Sequence, residues 1–184
     1  LAFVNNALIG AGLRDRIRIG ASGKITSAFD MARAMALGAD WCNAARGFMF
    51  AVGCIQAQQC HTGQCPTGVT SPDPMRARAV VVSDKSLRVA SYHRETLHAL
   101  AELIAAAGLT HPRDLNGNHF MRRTGPDAVA SFAELYVQLS PGELIRGTQH
   151  PRFKPWWAAA RAESFAPAPQ PQPSAQMAEE PATV

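Results

Sequence analysis

No stretch of these 184 residues is apolar for long enough to span a bilayer, and none has the basic segment, apolar run and cleavage site of an export signal. The expected setting is therefore the cytoplasm. Charged residues make up 17% and aromatic residues 7%. The net charge of +4 comes from Lys and Arg scattered along the chain, with neither a basic helix nor an aromatic stacking platform, which argues against nucleic acid as a partner. There is no Ser-His-Asp or nucleophile-elbow pattern to support hydrolase chemistry. Cys-x-x-Cys is absent, which removes the usual redox disulfide. No internal repeat is visible. The chain opens on Leu, directly in apolar sequence, and reads as the C-terminal part of something longer. What is present is a composition 47% hydrophobic, enough for one domain with a core, with 14 Gly and 13 Pro.

Hydrophobic spacing sets the expected elements. Residues 3–8 form the last turns of a helix stopping near Gly10 or Gly12. Ile17-Arg18-Ile19-Gly20 alternates as a short strand and runs into the polar turn Ala21-Ser22-Gly23-Lys24. A helix over 26–37 places Ile25, Ala28, Phe29, Ala32, Met35 and Ala36 on one face, with Ser27 and Asp30 as a capping box and Gly38 as its terminating glycine. Residues 40–44 form a second strand ending at Ala45-Arg46-Gly47. Strand, turn, helix and strand make a βαβ unit, the signature of an α/β fold with a parallel sheet. Further on, a helix over 91–107 carries Leu97, Leu100, Ala101, Ile104 and Ala107 on one stripe. Another over 127–139 carries Val129, Phe132, Ala133, Tyr136 and Leu139. Ser140-Pro141-Gly142-Glu143 starts a short helix. Trp156-Trp157 is expected to anchor the C-terminal segment, and the Pro-, Ala- and Gln-rich tail over 166–184 is expected to be disordered.

All four cysteines fall between positions 42 and 65. Cys54, Cys60 and Cys65 stand in twelve residues interspersed with Gly53 and Gly63, and Pro66 and Gly68 follow, so three thiols can converge from one loop. Thiolates suit an iron–sulfur cluster or zinc. Zinc would recruit His61 as a fourth ligand, although the spacing lacks the paired knuckles of zinc ribbons. The remaining reading is three ordinary buried thiols. Cys42, inside the second strand, reads as a small apolar core residue. His93 and His98 are five apart, off the i, i+4 spacing of a shared ligand face, and read as surface or supporting histidines. Arg76, Arg78, Arg122 and Arg123 read as solvated or ion-paired.

Gly53-Cys54-Ile55, Cys60-His61-Thr62, Cys65-Pro66-Thr67-Gly68-Val69 and Asp73-Pro74, in that order, resemble the cluster loop of the glutamate synthase family. The resemblance extends upstream through Ile19-Gly20-Ala21-Ser22-Gly23-Lys24 and Ala36-Leu37-Gly38-Ala39-Asp40. It extends downstream, more loosely, from Arg88-Val89-Ala90-Ser91-Tyr92-His93 to Ala160-Arg161-Ala162-Glu163-Ser164-Phe165. It is nearest the short, stand-alone FMN-binding members. It implies that Cys54, Cys60 and Cys65 ligate a [3Fe–4S] cluster. It also implies that the chain is the C-terminal part of a (β/α)8 TIM barrel, about strands 7 and 8, with a cysteine cluster loop and a C-terminal helical extension. The expected division is 1–90 for barrel and cluster loop (the loop at about 47–75), 91–165 for the extension and 166–184 for the tail.

In such barrels the loops after strands 7 and 8 commonly bind phosphate through backbone amides. Ser22, Gly23 and Lys24 form one such loop; Ala45, Arg46 and Gly47 form the other. Taken alone, a Gly-Lys after a strand reads first as a turn; the resemblance makes the pair of loops the FMN phosphate site. Larger members often carry Gly-Thr where this chain has Ala45-Arg46, so backbone rather than side-chain contacts carry over. The implied activity is an oxidoreductase in which reduced FMN delivers hydride to 2-iminoglutarate, made from 2-oxoglutarate and glutamine-derived ammonia, giving L-glutamate. Implied partners are a glutaminase and a ferredoxin or NAD(P)H-linked electron donor. The alternatives are a methylglutamate-forming, amine-transfer subunit with the same barrel and loop, and a non-catalytic iron–sulfur electron-transfer module.

Overall fold

In the computed structural model, which describes residues 1–136 and 138–166, the first half of the chain is organised around one strand–helix–strand unit. Helix α1 (Ala2–Gly10) leads by a loop to β1 (Gly20–Ser22). Helix α2 (Ala28–Ala36) then connects β1 to β2 (Trp41–Asn43). The strands are parallel, with Gly20 opposite Trp41 and Ser22 opposite Asn43. This is the α/β unit that the sequence pattern calls for. The first strand occupies Gly20–Ser22 rather than the alternating Ile17-Arg18-Ile19-Gly20. The reason is Asp40: its N–H donates to the Ile19 carbonyl at 2.8 Å, and the Ile19 N–H donates to Asp40 Oδ2 at 2.7 Å. Both backbone groups of Ile19 are thus taken by one residue, and the ladder begins just after it.

Helix α2 has the expected caps. The Ser27 hydroxyl accepts the Asp30 N–H at 3.2 Å and the Asp30 carboxylate accepts the Ser27 N–H at 3.1 Å, so two of the orphan amides at its start are satisfied. At its end Gly38 adopts φ +102, which lets the Gly38 and Ala39 amides return to the Met35 and Ala34 carbonyls at 2.9 and 3.1 Å. Ala28, Ala32 and Ala36 are buried and join Leu100, Ile104, Leu115, Phe120 and Phe132 in the largest apolar cluster. Phe29, expected on that face, is exposed, its ring 5.4 Å from that of Phe120.

Helix α3 (Ala45–Val52) follows β2, the one-turn α4 (Pro74–Ala77) follows the cysteine loop, and α5 (Val82–Ala106) packs across α2 and α3. Helix α5 begins well before residue 91, and its buried stripe is rotated from the expected one. Leu100 and Ile104 are buried, whereas Leu97, Ala101 and Ala107 are exposed. Thr96 and Tyr92 continue the inner line one and two turns before Leu100, and the Tyr92 hydroxyl donates to the Thr26 carbonyl at 3.0 Å.

Beyond α5 the expected helix over 127–139 is replaced by a hairpin of β3 (Met121–Arg123) and β4 (Val129–Ser131), followed by the single turn α6 (Phe132–Leu135). Ser131 decides this. With Glu134 it forms a capping box, its N–H reaching Glu134 Oε2 at 2.6 Å, so the helix cannot begin before Phe132. Helix α7 (Glu143–Arg146) starts at Glu143, whose carboxylate accepts the Ser140 N–H at 2.9 Å. The anchor in α8 (Phe153–Ala159) is Phe153 rather than the two tryptophans. Phe153 is 5% exposed, packs with Leu139 and Leu144, and stacks on Phe3 at 4.8 Å, while Trp156 and Trp157 are 64% and 42% exposed. Apart from Ala166, the expected tail over 166–184 lies outside the described residues.

One side chain ties these pieces together. The Arg14 guanidinium donates to Asn5 Oδ1 in α1 at 2.7 Å, to the Ile17 carbonyl at 2.9 Å, to the Gly38 carbonyl at 3.1 Å and to Asp40 Oδ2 at 2.9 Å. Arg18 adds a second contact to Asp40 at 3.3 Å. The Asp40 side chain is 14% exposed. Burial works to raise its pKa, but the Ile19 amide, Arg14 and Arg18 outweigh that and hold the carboxyl below its ordinary 3.8. A folded-state value below the unfolded one means stabilisation that is complete above the unfolded pKa and lost as the pH falls through the folded one. Asp40→Asn is expected to lower the unfolding free energy by about 2 kcal/mol at neutral pH. In urea titrations repeated from about pH 5 down to about pH 3, the gap between variant and parent should close.

Candidate cofactor and cluster site

The parallel register brings the ends of β1 and β2 to one edge. After β1 the chain turns through Gly23 and Lys24; after β2 it enters α3 almost at once. Lys24 has φ +57, a conformation that costs a non-glycine residue about 1 kcal/mol and is held where the surroundings impose it. Ile25, next to it, is buried with Ala21, Ala34 and Ala39, which fixes the turn from beneath. Helix α3 begins at Ala45, earlier than expected, so Ala45, Arg46 and Gly47 are its first turn rather than a loop before it. No side chain caps it, and its first backbone bond runs from the Phe48 N–H to the Ala44 carbonyl at 3.3 Å. The three preceding amides stand at the positive end of the helix without an intrahelical acceptor.

A cavity of about 570 Å³ lies between these two turns. Ser22, Gly23, Lys24, Ala45 and Arg46 line one side, Met49 and Phe50 of α3 line the next, and Cys54, Gln56, Gln58 and Cys60 close the far side. Among the described residues, the non-glycine residues with positive φ are Lys24, Gln56 and Gln58, and all three border this cavity. Five of the six phosphate-loop residues anticipated from sequence are therefore brought together. Gly47 does not line the cavity. It faces α5, where a Cβ would run into the Tyr92 hydroxyl, and Phe48 beside it meets the Tyr92 ring edge-on at 5.1 Å.

The cysteine segment leaves the C-terminus of α3. The Cys54 N–H still donates to the Met49 carbonyl at 2.9 Å, so the first thiol is held on the end of the helix. Cys60 opens a short 3-10 turn, Cys60–Thr62, stabilised by the Thr62 hydroxyl on the Gln59 carbonyl at 2.8 Å. Cys65 begins the turn closed by the Gly68 N–H at 3.2 Å. The Ser71 hydroxyl on the Gly63 carbonyl at 2.5 Å and Arg76 on the Gln64 carbonyl at 3.4 Å pin the return strand of the loop. Asp73, accepting the Met75 N–H at 2.9 Å, and Pro74 then start α4, which gives the Asp-Pro pair a local structural purpose.

Cys54, Cys60 and Cys65 all line one narrow cleft, together with Pro66, Thr67 and Thr70, and the first two also face the larger cavity. Cys54 is half-buried, Cys60 exposed and Cys65 buried. The Thr67 hydroxyl, 3.4 Å from the Cys65 sulfur, and the Thr70 amide hold that thiol down at about 6 against the opposing effect of burial, which favours the thiolate. The Thr70 hydroxyl is buried without a hydrogen-bond partner. Three thiols on one narrow cleft, one of them held below its ordinary pKa, with a spare hydroxyl beside them, are a donor set that fits a sulfide-bridged cluster. Among the described residues no three His, Cys, Asp or Glu side chains close on a single ion, and His61 does not line the cleft. Cys42 stays apart: burial pushes its thiol up, and it packs beside Ala21, Ile25, Ala34 and Ala39. His93 and His98 are exposed on α5. The sequence reading missed Gln56, Gln58, Thr67 and Thr70 as site residues. Only Thr67, set inside the Cys-Pro-Thr-Gly run, carried any signal.

Residues 1–110 match the conserved region in glutamate synthase. The glutamate synthase large subunit-like protein YerD of Bacillus subtilis is 40% identical over 138 residues, 75% of this chain and 26% of the relative. An archaeal glutamate synthase [NADPH] of Methanocaldococcus jannaschii is 35% identical over 118 residues, 64% of this chain and 23% of the relative. The ferredoxin-dependent glutamate synthase 1 of Arabidopsis thaliana is 32% identical over 126 residues, 63% of this chain and 8% of the relative. The chain thus spans about a quarter of the first two relatives and less of the third.

Gly47 offers a test of how the site is held. Alanine there gains about 1 kcal/mol of helix propensity but overpacks against Tyr92, a cost of about 1–3 kcal/mol, and breaks the Tyr92 bond to Thr26, worth about 1 kcal/mol. Gly47→Ala is therefore expected to lower the urea midpoint. Tyr92→Phe in the same background, by making room, should recover part of the loss.

Proposed function

This chain belongs to the glutamate synthase family, and from that premise we propose that it supplies the FMN-phosphate loops and the [3Fe–4S] loop of a glutamate-forming oxidoreductase. The carrying observation is one cavity bordered on one side by the two strand-end turns and on the other by Cys54 and Cys60. Such an arrangement sets an anion-binding edge beside an edge of cysteine sulfur. In the proposed fold, β1 and β2 are strands 7 and 8 of a (β/α)8 barrel, whose phosphate sites recur at these loops.

The amides of Ala45 and Arg46, at the free positive end of α3, and the turn at Ser22, Gly23 and Lys24 hold the FMN phosphate. Lys24 and Arg46 add positive charge, and Met49 and Phe50 give the cavity an apolar wall. Cys54, Cys60 and Cys65 ligate the cluster. When bound, FMN supplies hydride to 2-iminoglutarate, formed from 2-oxoglutarate and glutamine-derived ammonia, and the cluster supplies single electrons. A glutaminase, and an electron donor that is ferredoxin or linked to NAD(P)H, are the proposed partners, in the cytoplasm. No helix among the described residues is long and apolar enough to cross a membrane.

Anaerobic purification of the intact protein, with iron, sulfide and flavin analysis and EPR, tests this reading. The expected result is FMN together with about three irons per chain and matching sulfide, giving an EPR signal in the oxidised state that reduction removes. Cys54→Ser, Cys60→Ser and Cys65→Ser should each lower the retained iron by about tenfold or more. Zinc without sulfide would overturn the proposal.

A further inference from the structure

The loop after Cys65 contains two threonines that the proposed activity does not yet use. Thr67 points its hydroxyl at the Cys65 sulfur, 3.4 Å away. Thr70 lines the same cleft as Cys54, Cys60 and Cys65, and its oxygen is buried. It completes no hydrogen bond with any protein group. A buried hydroxyl with no partner costs about 1–3 kcal/mol. Nothing in the packing requires it, since valine has the same shape. Three cysteine sulfurs line the cleft that Thr70 shares, and its hydroxyl has no partner among the protein groups, so the proton it can give is available to a sulfur-bearing ligand there.

We propose that the Thr70 hydroxyl, with Thr67 beside it, donates to sulfur at the cluster and so sets its reduction potential, making both threonines positioning residues for electron entry. This rests on the cluster assignment above. The physical reason is charge. One-electron reduction adds one negative charge spread over the sulfurs, and a fixed donor stabilises the reduced form more than the oxidised one. Removing the donor must therefore lower the potential, and restoring a hydroxyl of any shape must return it. Pro66 has no N–H, and the Gly68 amide is already committed to the Cys65 carbonyl. The Thr67 and Thr70 amides also act on the Cys65 sulfur, but a Thr→Val change leaves them in place and removes the hydroxyl alone.

The test is an EPR-monitored redox titration of the intact, cluster-loaded protein, with dithionite as the electron source and iron content measured alongside. Thr70→Val is expected to keep its iron and to lower the equilibrium constant for reduction about tenfold, the size of one hydrogen bond. For a one-electron couple that is a shift of about 59 mV to more negative potential. Thr70→Ser should keep the parent value, and Thr67→Val should shift in the same direction as Thr70→Val. An iron-loaded Thr70→Val with an unchanged potential overturns the proposal, as does a Thr70→Ser shifted as far as the valine. If Thr70→Val cannot hold iron, Thr67→Val and Thr70→Ser decide it by the same signs. Absence of any iron–sulfur signal from the parent protein is a different failure, and it removes the cluster assignment together with this inference.

Discussion

The contact between Arg14 and Asp40 is the constraint on which the arrangement of the chain depends. A guanidinium has five N–H donors in a fixed plane, and here they reach α1, the loop before β1, the end of α2 and the residue before β2. Asp40 answers with one oxygen on Arg14 and the Ile19 amide. A three-residue parallel pair has few ladder bonds of its own and would be free to slip. With Ile19 fixed to Asp40 it cannot, because a slip by one residue would break charged bonds on a carboxylate only 14% exposed. The register in turn decides that the turn at Ser22 and the start of α3 emerge side by side.

Helix α3 carries that placement across to the cysteines. Eight residues at 1.5 Å per residue make a rod of about 12 Å, with three unbonded amides at one end and Cys54 just past the other. Because residues 54–60 double back along the rod, Cys54 and Cys60 face the cavity that its N-terminus also borders. The rod's own position is set by α5, whose Tyr92 occupies the notch that Gly47 leaves. Gly47 thus serves the site through packing: it gives α5 access to α3, and it does not itself border the cavity. Displacement of α5 would move the free amides at the start of α3 and the first thiol together, since both ride on one helix.

How much of this was legible in the residues varies with how local the cause is. The caps of α2 were readable because Ser27, Asp30 and Gly38 act within a few positions of each other. The cysteine loop was readable because the order of cysteines, proline and glycines is itself the local structure. The hairpin of β3 and β4 was not, because Val129, Phe132 and Tyr136 also fit a helical face, and the choice is made by pairing with Met121 and Arg123 and by the cap at Ser131. The rotated face of α5 has the same origin: Leu97 and Ala101 are as apolar as Ala99 and Leu100, and only contact with α2 and α3 selects among them. Phe153 displaced the tryptophan pair as anchor because its partner, Phe3, lies at the opposite end of the sequence. The Arg14 network spans 26 positions to Asp40 and leaves no periodic trace.

The stable part of the molecule and the chemically suited part are kept separate. The largest apolar cluster sits between α2, α5 and the segment around Phe120 and Phe132, away from the cysteines. Around the cavity the balance is reversed. Gln56 and Gln58 are exposed and left-handed, Lys24 is left-handed, Cys60 is exposed, and Thr70 keeps an unpaired hydroxyl. Each of these costs about 1–3 kcal/mol or contributes little, and none is explained by folding alone. They persist because the loop's ends are fixed elsewhere, at Met49 on α3 and through Ser71, Asp73 and Arg76 on the return. A loop pinned at Met49 and again at Gly63 and Gln64, strained at Gln56 and Gln58 between those points and lined with thiols and hydroxyls, has favourable contacts left to make with a ligand. The same geometry explains the electrostatic order of the site. Helix amides and Lys24 make one edge positive, the sulfurs of Cys54 and Cys60 make the other soft and polarisable, and Met49 and Phe50 stand between them, so the two edges offer a ligand different donors.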